Sequence, residues 1–203
     1  MTRGFKGRRR PSGELSDRVP PGQHLVSDFP VLTAGPTPHT SLERWSLTLR
    51  DSERTFATLS WSDLGALSQT ELNADIHCVT KWTRLDTRWR GVTIDDLLIT
   101  AGLSRPPGRF VTAECDGGYT TNLPVEDLID GRAIIATHFA DVPLAPAHGG
   151  PGRLLVPHLY LWKSAKWIRA LRFCDEDHPG FWESLGYHMY GDPWREQRYA
   201  GDA

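Results

Sequence analysis

The run Asp75-Ile76-His77-Cys78-Val79-Thr80-Lys81-Trp82 puts a thiol where chemistry could be done. Leu72, Ala74, Ile76 and Cys78 alternate with polar Asn73, Asp75 and His77, so the first set shares one strand face and the second set the other. The thiol is delivered inward at a strand end, just where Thr80, Lys81, Trp82 and Arg84 begin a polar and aromatic loop. A buried soft thiolate beside cations is what a soft transition metal binds. By itself the segment favours a plainer reading, a small core cysteine, because free cysteine is among the most buried residue types.

Three other segments gather groups that hold anions. In His148-Gly149-Gly150-Pro151-Gly152-Arg153 the glycines let backbone approach a ligand closely, and Arg153 adds a planar fork suited to phosphate or carboxylate. A hairpin loop with a surface arginine would look the same. In Leu161-Trp162-Lys163-Ser164-Ala165-Lys166-Trp167, turn amides with serine and lysine donors could cradle a phosphate. An exposed basic turn above packed tryptophans is the other reading. The expected loop over 80–90 carries Lys81, Arg84, Arg88 and Arg90 against one acid, Asp86, with Trp82 and Trp89 between them. Two of these cations facing a metal would attract a small anion or a polar S-oxide or N-oxide, although most loop arginines are solvated.

The elements that must position these residues form an ordinary globular chain. It has 203 residues, 39% hydrophobic and 24% charged, with a formal net charge of −2, which excludes a strongly basic, nucleic-acid-binding domain. No apolar run approaches the roughly 18 residues of a membrane span. The basic N-terminus, with arginines at 8–10, lacks the apolar stretch of an export signal, so a cytoplasmic location is expected. Cys78, Cys115 and Cys174 form no Cys-x-x-Cys, which argues against a disulfide scaffold and a zinc site. Glycine-rich nucleotide signatures are absent. Residues 1–20 read as a flexible basic arm and 21–203 as one domain. Strands are expected around Trp45-Leu47-Leu49, 56–59, 72–78, 110–115, 119–123, 134–139, 154–156 and 168–173. Ser60 with Asp63 signals one helix start, Thr93 with Asp95 and Asp96 another, and Pro124 a short helix over 125–128. The class is α+β: mixed sheets with short peripheral helices.

The order of these segments carries a resemblance. Cys-Val-x-x-Trp from Cys78, Asp-Gly-Gly-Tyr-Thr from Asp116, Gly-Gly-Pro-x-Arg-Leu-x-Val-Pro from Gly149 and Tyr-x-x-Lys-Ser-x-Lys-Trp from Tyr160 follow one another. With the tail Pro179-Gly-Phe-Trp182 … Gly186-Tyr187-His188, the chain over roughly 18–199 resembles the sulfite oxidase-type molybdopterin oxidoreductases. It is similar in particular to short bacterial members related to the methionine sulfoxide reductase catalytic subunit. The resemblance implies a single sulfite oxidase-like domain with a molybdenum–molybdopterin cofactor and Cys78 as the molybdenum ligand. It implies cofactor contacts at Leu32, Thr33, Cys115, Asp116, His148, Arg153, Ser164, Ala165 and Lys166. His148 stands where relatives often have Asn, and Cys115 where a threonine can occur.

A thiolate suits molybdenum held by dithiolene sulfurs, and the protein need only bind, orient and tune the cofactor. The expected function is two-electron oxygen-atom transfer, in the direction of S-oxide or N-oxide reduction, with Lys81 and Arg84 beside the substrate. Sulfite-type oxidation and a non-catalytic molybdopterin-binding module are the alternatives. With no heme domain in the chain, a separate electron-transfer partner is expected.

Overall fold

The described residues, 17–203 of a computed structural model, fold into two sheets with a core between them. In chain order the strands are β1 (His24–Leu25), β2 (Ser46–Arg50), β3 (Thr55–Ser60), β4 (Thr70–His77), β5 (Trp82–Thr93), β6 (Phe110–Cys115), β7 (Thr120–Pro124), β8 (Ile134–Phe139), β9 (Val142–Pro143), β10 (Arg153–Leu155) and β11 (Ile168–Cys174). One sheet has the order β3-β2-β11-β6-β7. The other runs β1-β5-β8-β10, with β4 also on β5 and β9 on β8.

Period-two alternation explains how the second sheet serves two cores. Ile135 and Leu154 point into the main core, where Leu47, Leu49, Leu171 and Phe173 of the first sheet meet them. Their neighbours Ile134, Ala136 and Leu155 point the other way, into a smaller cluster with Ile76, Cys78, Trp82 and Trp89. Both faces of this sheet are therefore covered. The second face is the one that carries the cysteine.

The helices are short and capped by their own signals. Ser60 and Asp63 exchange a capping box at the start of α1 (Trp61–Ala66). The Thr93 hydroxyl accepts from the Asp96 amide at the start of α2 (Ile94–Thr100). After Pro124 the chain makes only one 3-10 turn, Val125–Asp127. The last helix is α3 (Phe181–Ser184).

The structure corrects the reading of 80–90 as a loop. Only 78–81 turn; from Trp82 the chain is the twelve-residue β5, the longest strand described. Register shows why the pattern hid it. Ala74 pairs with Thr87 but Ile76 with Arg84, so β5 carries one extra residue, and Asp86 in that bulge has φ +54°. The bulge shifts which residues face inward, and a period-two test fails across it. The arm reading is corrected at its end: Arg18 is paired with Asp75 and Asp86, and Val19 is buried. Residues 1–16, including the arginines at 8–10, lie outside the described residues.

Candidate active site

Cys78 is the first residue after β4. Its amide bonds the Trp82 carbonyl at 2.9 Å and its carbonyl accepts from the Lys81 amide at 3.0 Å, closing a tight turn into β5. Lys81 takes φ +72° to complete it. Buried Gln23 donates to the Cys78 carbonyl at 3.1 Å. The Thr80 hydroxyl donates to the sulfur at 3.1 Å. Burial pushes the thiol pKa up, against the Thr80 hydrogen bond, nearby amides and the charge of Lys166, which favour the thiolate. His77 is buried as well, its ring Nδ1 3.0 Å from the Thr83 hydroxyl, and burial pushes its pKa down to about 4.

The sulfur lines a cavity of about 710 Å³. Four parts of the chain converge there. Residues 29–38 cross one side as an extended proline-rich strap, with Phe29 stacked on His148 at 4.2 Å. The turn after β6 brings Asp116, Gly117, Gly118 and Tyr119. The 148–153 loop brings His148 and Arg153, and the 161–167 turn brings Trp162, Ser164, Ala165, Lys166 and Trp167. Phe181, Trp182 and Tyr187 complete the lining.

The electrostatics are lopsided. Arg153 is 2% exposed, and its guanidinium donates only to carbonyls, those of His148 at 3.0 Å and Ser164 at 2.6 Å, with a longer contact to Leu154. Burial pushes its pKa down to about 10. Lys166 donates to the carbonyls of Leu32 (2.7 Å) and Ala147 (2.8 Å), and burial with the nearby Arg153 holds it at about 8. Buried Arg153 and half-buried Lys166 lie together here with no carboxylate among their bonded partners. Such a charge is costly unless an anion completes it. Gly149 lets them come together: at φ +103°, a Cβ there would sit 3.0 Å from the Lys166 Cβ and 3.1 Å from the Arg153 Cβ. This part of the wall can bind an anionic group beside a soft thiolate ligand. His148, its pKa lowered by burial and by the same cations, faces it as a neutral ring.

The expected site residues divide accordingly. Cys78, Leu32, Thr33, Asp116, His148, Arg153, Ser164, Ala165 and Lys166 all line the cavity. Asp116 is held by the Thr40 hydroxyl at 2.6 Å. The Ser164 hydroxyl is engaged with the Val156 backbone, so its place in the wall does not make it a free donor. Cys115 is buried behind the wall rather than part of it, and burial pushes its pKa strongly up. Lys81 and Arg84 are not part of the cavity wall. Lys81 is exposed at the turn, and Arg84 sits just behind the wall, over the Phe139 ring at 4.9 Å and the lining Phe29 at 6.0 Å, where it helps lower the pKa of His148. Arg84 was expected from a loop that is in fact a strand. Sequence reasoning missed the aromatic wall of Tyr119, Trp162, Phe181, Trp182 and Tyr187, whose members come from three separate segments. Its members stood in the quoted motifs, Tyr119 after Asp116-Gly117-Gly118, Trp162 before Lys163 and Trp182 and Tyr187 in the tail, but nothing in those motifs joined them into one wall.

Comparison with known proteins identifies the family. The chain matches the oxidoreductase molybdopterin binding domain over residues 34–182, which include Cys78, Arg153 and Lys166. It is 43% identical over 199 residues to the uncharacterized oxidoreductase YuiH of Bacillus subtilis, covering 98% of this chain and all of that one. It is 26% identical over 130 residues to the putative protein-methionine-sulfoxide reductase subunit YedZ1 of Azospira oryzae, covering 64% of this chain and 48% of the relative. Half of the chain aligns with mitochondrial sulfite oxidase of Drosophila melanogaster at 24% identity, over 19% of that protein. The crystal structure of the sulfane dehydrogenase SoxCD from Paracoccus pantotrophus shares the fold, with a TM-score of 0.61 at 22% identity, over 69% of this chain and 40% of that one. With a family model matched over most of the chain and a full-length relative at 43% identity, the chain belongs to the sulfite oxidase-type family of molybdopterin-binding oxidoreductases, and is a molybdenum-dependent enzyme.

Proposed function

We propose that the cavity binds molybdopterin with Cys78 as the molybdenum ligand, and that the enzyme reduces a neutral S-oxide or N-oxide. The residues present fit the cofactor. Cys78 offers the soft thiolate that molybdenum accepts. Arg153 and Lys166 offer the charge a phosphate needs, and the glycine loop at 149–152 lets backbone come close. When bound, the cofactor supplies two-electron oxygen-atom transfer. The chain's own residues bind and orient it, exclude water and shape the space left for substrate.

The observation that carries the substrate reading is the contrast within the cavity. Arg153 and Lys166, both assigned to the cofactor, are the only arginine and lysine in its wall among the described residues. Eight of the other lining residues are Phe, Tyr or Trp, and most of the rest are apolar or small. Such a surface favours an apolar body with a polar oxide over a small bare anion. Electrons come from a separate redox partner. No helix among the described residues is long and apolar enough to cross a membrane. The test supplies reduced viologen with sulfoxides and N-oxides, and separately sulfite with ferricyanide. Viologen oxidation with an S-oxide or N-oxide is the expected outcome. Turnover with sulfite alone would overturn the direction and keep the cofactor assignment.

A further inference from the structure

Lys163 and Glu183 form an ion pair at 2.6 Å with side chains 1% and 0% exposed, beside the cavity but outside its wall. Stability alone does not explain it, since an apolar pair of similar volume is often as good or better. What distinguishes the pair is what else it binds. Glu183 Oε1 accepts from the Trp162 indole N–H at 2.8 Å and from the Thr121 hydroxyl at 2.9 Å. The Lys163 ammonium donates to the Asn122 side chain and carbonyl, both at 2.8 Å, and to the Met189 carbonyl at 2.6 Å. One carboxylate thus ties β7, the 161–167 turn and α3 together, and its acceptor fixes the indole of a cavity-lining residue.

The rest of the Trp162 environment permits one placement. Its ring stacks on Tyr160 at 5.2 Å and meets Tyr187 edge-on at 5.3 Å. Gly191, at φ +83°, leaves room for it: a Cβ there would lie 2.7 Å from the indole Cζ2. Gly180 brings α3 close, since a Cβ at that position would lie 2.5 Å from the Thr120 carbonyl oxygen and 2.7 Å from Glu183 Oε2. We infer that Glu183 is a positioning residue for substrate binding: through the indole N–H of Trp162 it fixes the aromatic wall against which the apolar part of the substrate packs. This rests on the reading of the aromatic wall as the substrate side. Lys163 holds Glu183 in place through their 2.6 Å ion pair.

The test is equilibrium binding of methyl phenyl sulfone, a non-turnover analogue, to the cofactor-loaded enzyme by calorimetry. The Kd should rise about tenfold for Trp162→Phe and for the paired change Lys163→Met with Glu183→Leu, which strands no charge, at unchanged pterin content per chain. The triple variant should be no weaker than Trp162→Phe, because both changes remove one contact. Glu183→Gln keeps an acceptor for the indole and should bind within about twofold of wild type. A paired variant with wild-type Kd, a further loss in the triple variant, or no saturable binding by wild type would overturn the inference. If the paired variant does not fold, equal binding by Trp162→Phe and wild type overturns it instead. Binding is read without turnover, so failure of the S-oxide reading would show separately in the viologen assay.

Discussion

Lys163 and Lys166 stand on one turn, three residues apart, and the fold treats them in opposite ways. Lys163 is sealed against Glu183 with its donors filled by Asn122 and Met189. Lys166, with Arg153 beside it, has carbonyl oxygens for bonded partners and faces the cavity. A buried cation whose carboxylate is built in belongs to the architecture. A buried cation surrounded by carbonyls is prepared for an anion that arrives from outside. The cavity wall accordingly combines two cations and a thiol with neutral aromatic rings beside them, Lys166 lying over the Trp167 ring at 5.3 Å.

The strongest way to break this contrast is at the sulfur. Cys78→Ser should abolish turnover and remove the thiolate signature from the X-ray absorption spectrum of the bound metal, whereas Cys174→Ser should do neither. Cys174 lies at the end of β11, outside the cavity wall. Wild-type turnover by Cys78→Ser would refute the metal assignment.

The two cation environments predict opposite consequences of the same kind of truncation. Arg153→Met should lower pterin per chain about 10- to 100-fold, the value of a few hydrogen bonds to a charged group, with little loss of melting temperature in cofactor-free protein. Lys163→Met leaves Glu183 buried and unpaired, and should destabilise by about 3–5 kcal/mol. Adding Glu183→Leu should restore most of that. Equal stability losses in cofactor-free Arg153→Met and Lys163→Met would erase the distinction.

Titration gives a smaller effect with a definite sign. Lys166 in the fold loses its proton near 8, against an ordinary value of 10.5. Between those values the unfolded chain binds more protons than the folded one, so this group makes cofactor-free protein more stable as pH rises. That rise should be weaker in Lys166→Met, as followed by urea unfolding between pH 7.5 and 10.5. Inorganic phosphate should bind cofactor-free wild type less tightly above about pH 8, with Lys166→Met lacking that step. The smallest effects should come from β5 and its turn: Lys81→Ala and Arg88→Ala should leave kcat/KM within about twofold, since exposed side chains away from the cavity contribute little.

Much of the positioning framework was legible because its causes are local. The Ser60–Asp63 box, the Thr93 cap, the strand at 110–115 and the turn at Asp116-Gly117-Gly118 each rest on neighbours in sequence. Cys78, Arg153 and Lys166 stood out as candidates because the strand end and the glycine-bearing and serine-bearing turns that carry them are short motifs, but their expected roles came from the resemblance that the order of those segments carries. β5 was not legible, because a bulge at Asp86 breaks its alternation and its charges imitate a loop.

By itself, then, the sequence determined which segments offer thiol, cation and turn donors and in what order, since capping, alternation and turn chemistry act within a few residues. Only the tertiary structure decided which groups meet. Lys163 and Lys166 have the same side chain on the same turn; Glu183, twenty residues further along, settles that one is structural and the other faces the cavity. Tyr119, Trp162 and Tyr187 become one wall because sheet pairing brings distant segments together, and burial, which sets their partners and shifts their ionisation, is a property of the packed molecule.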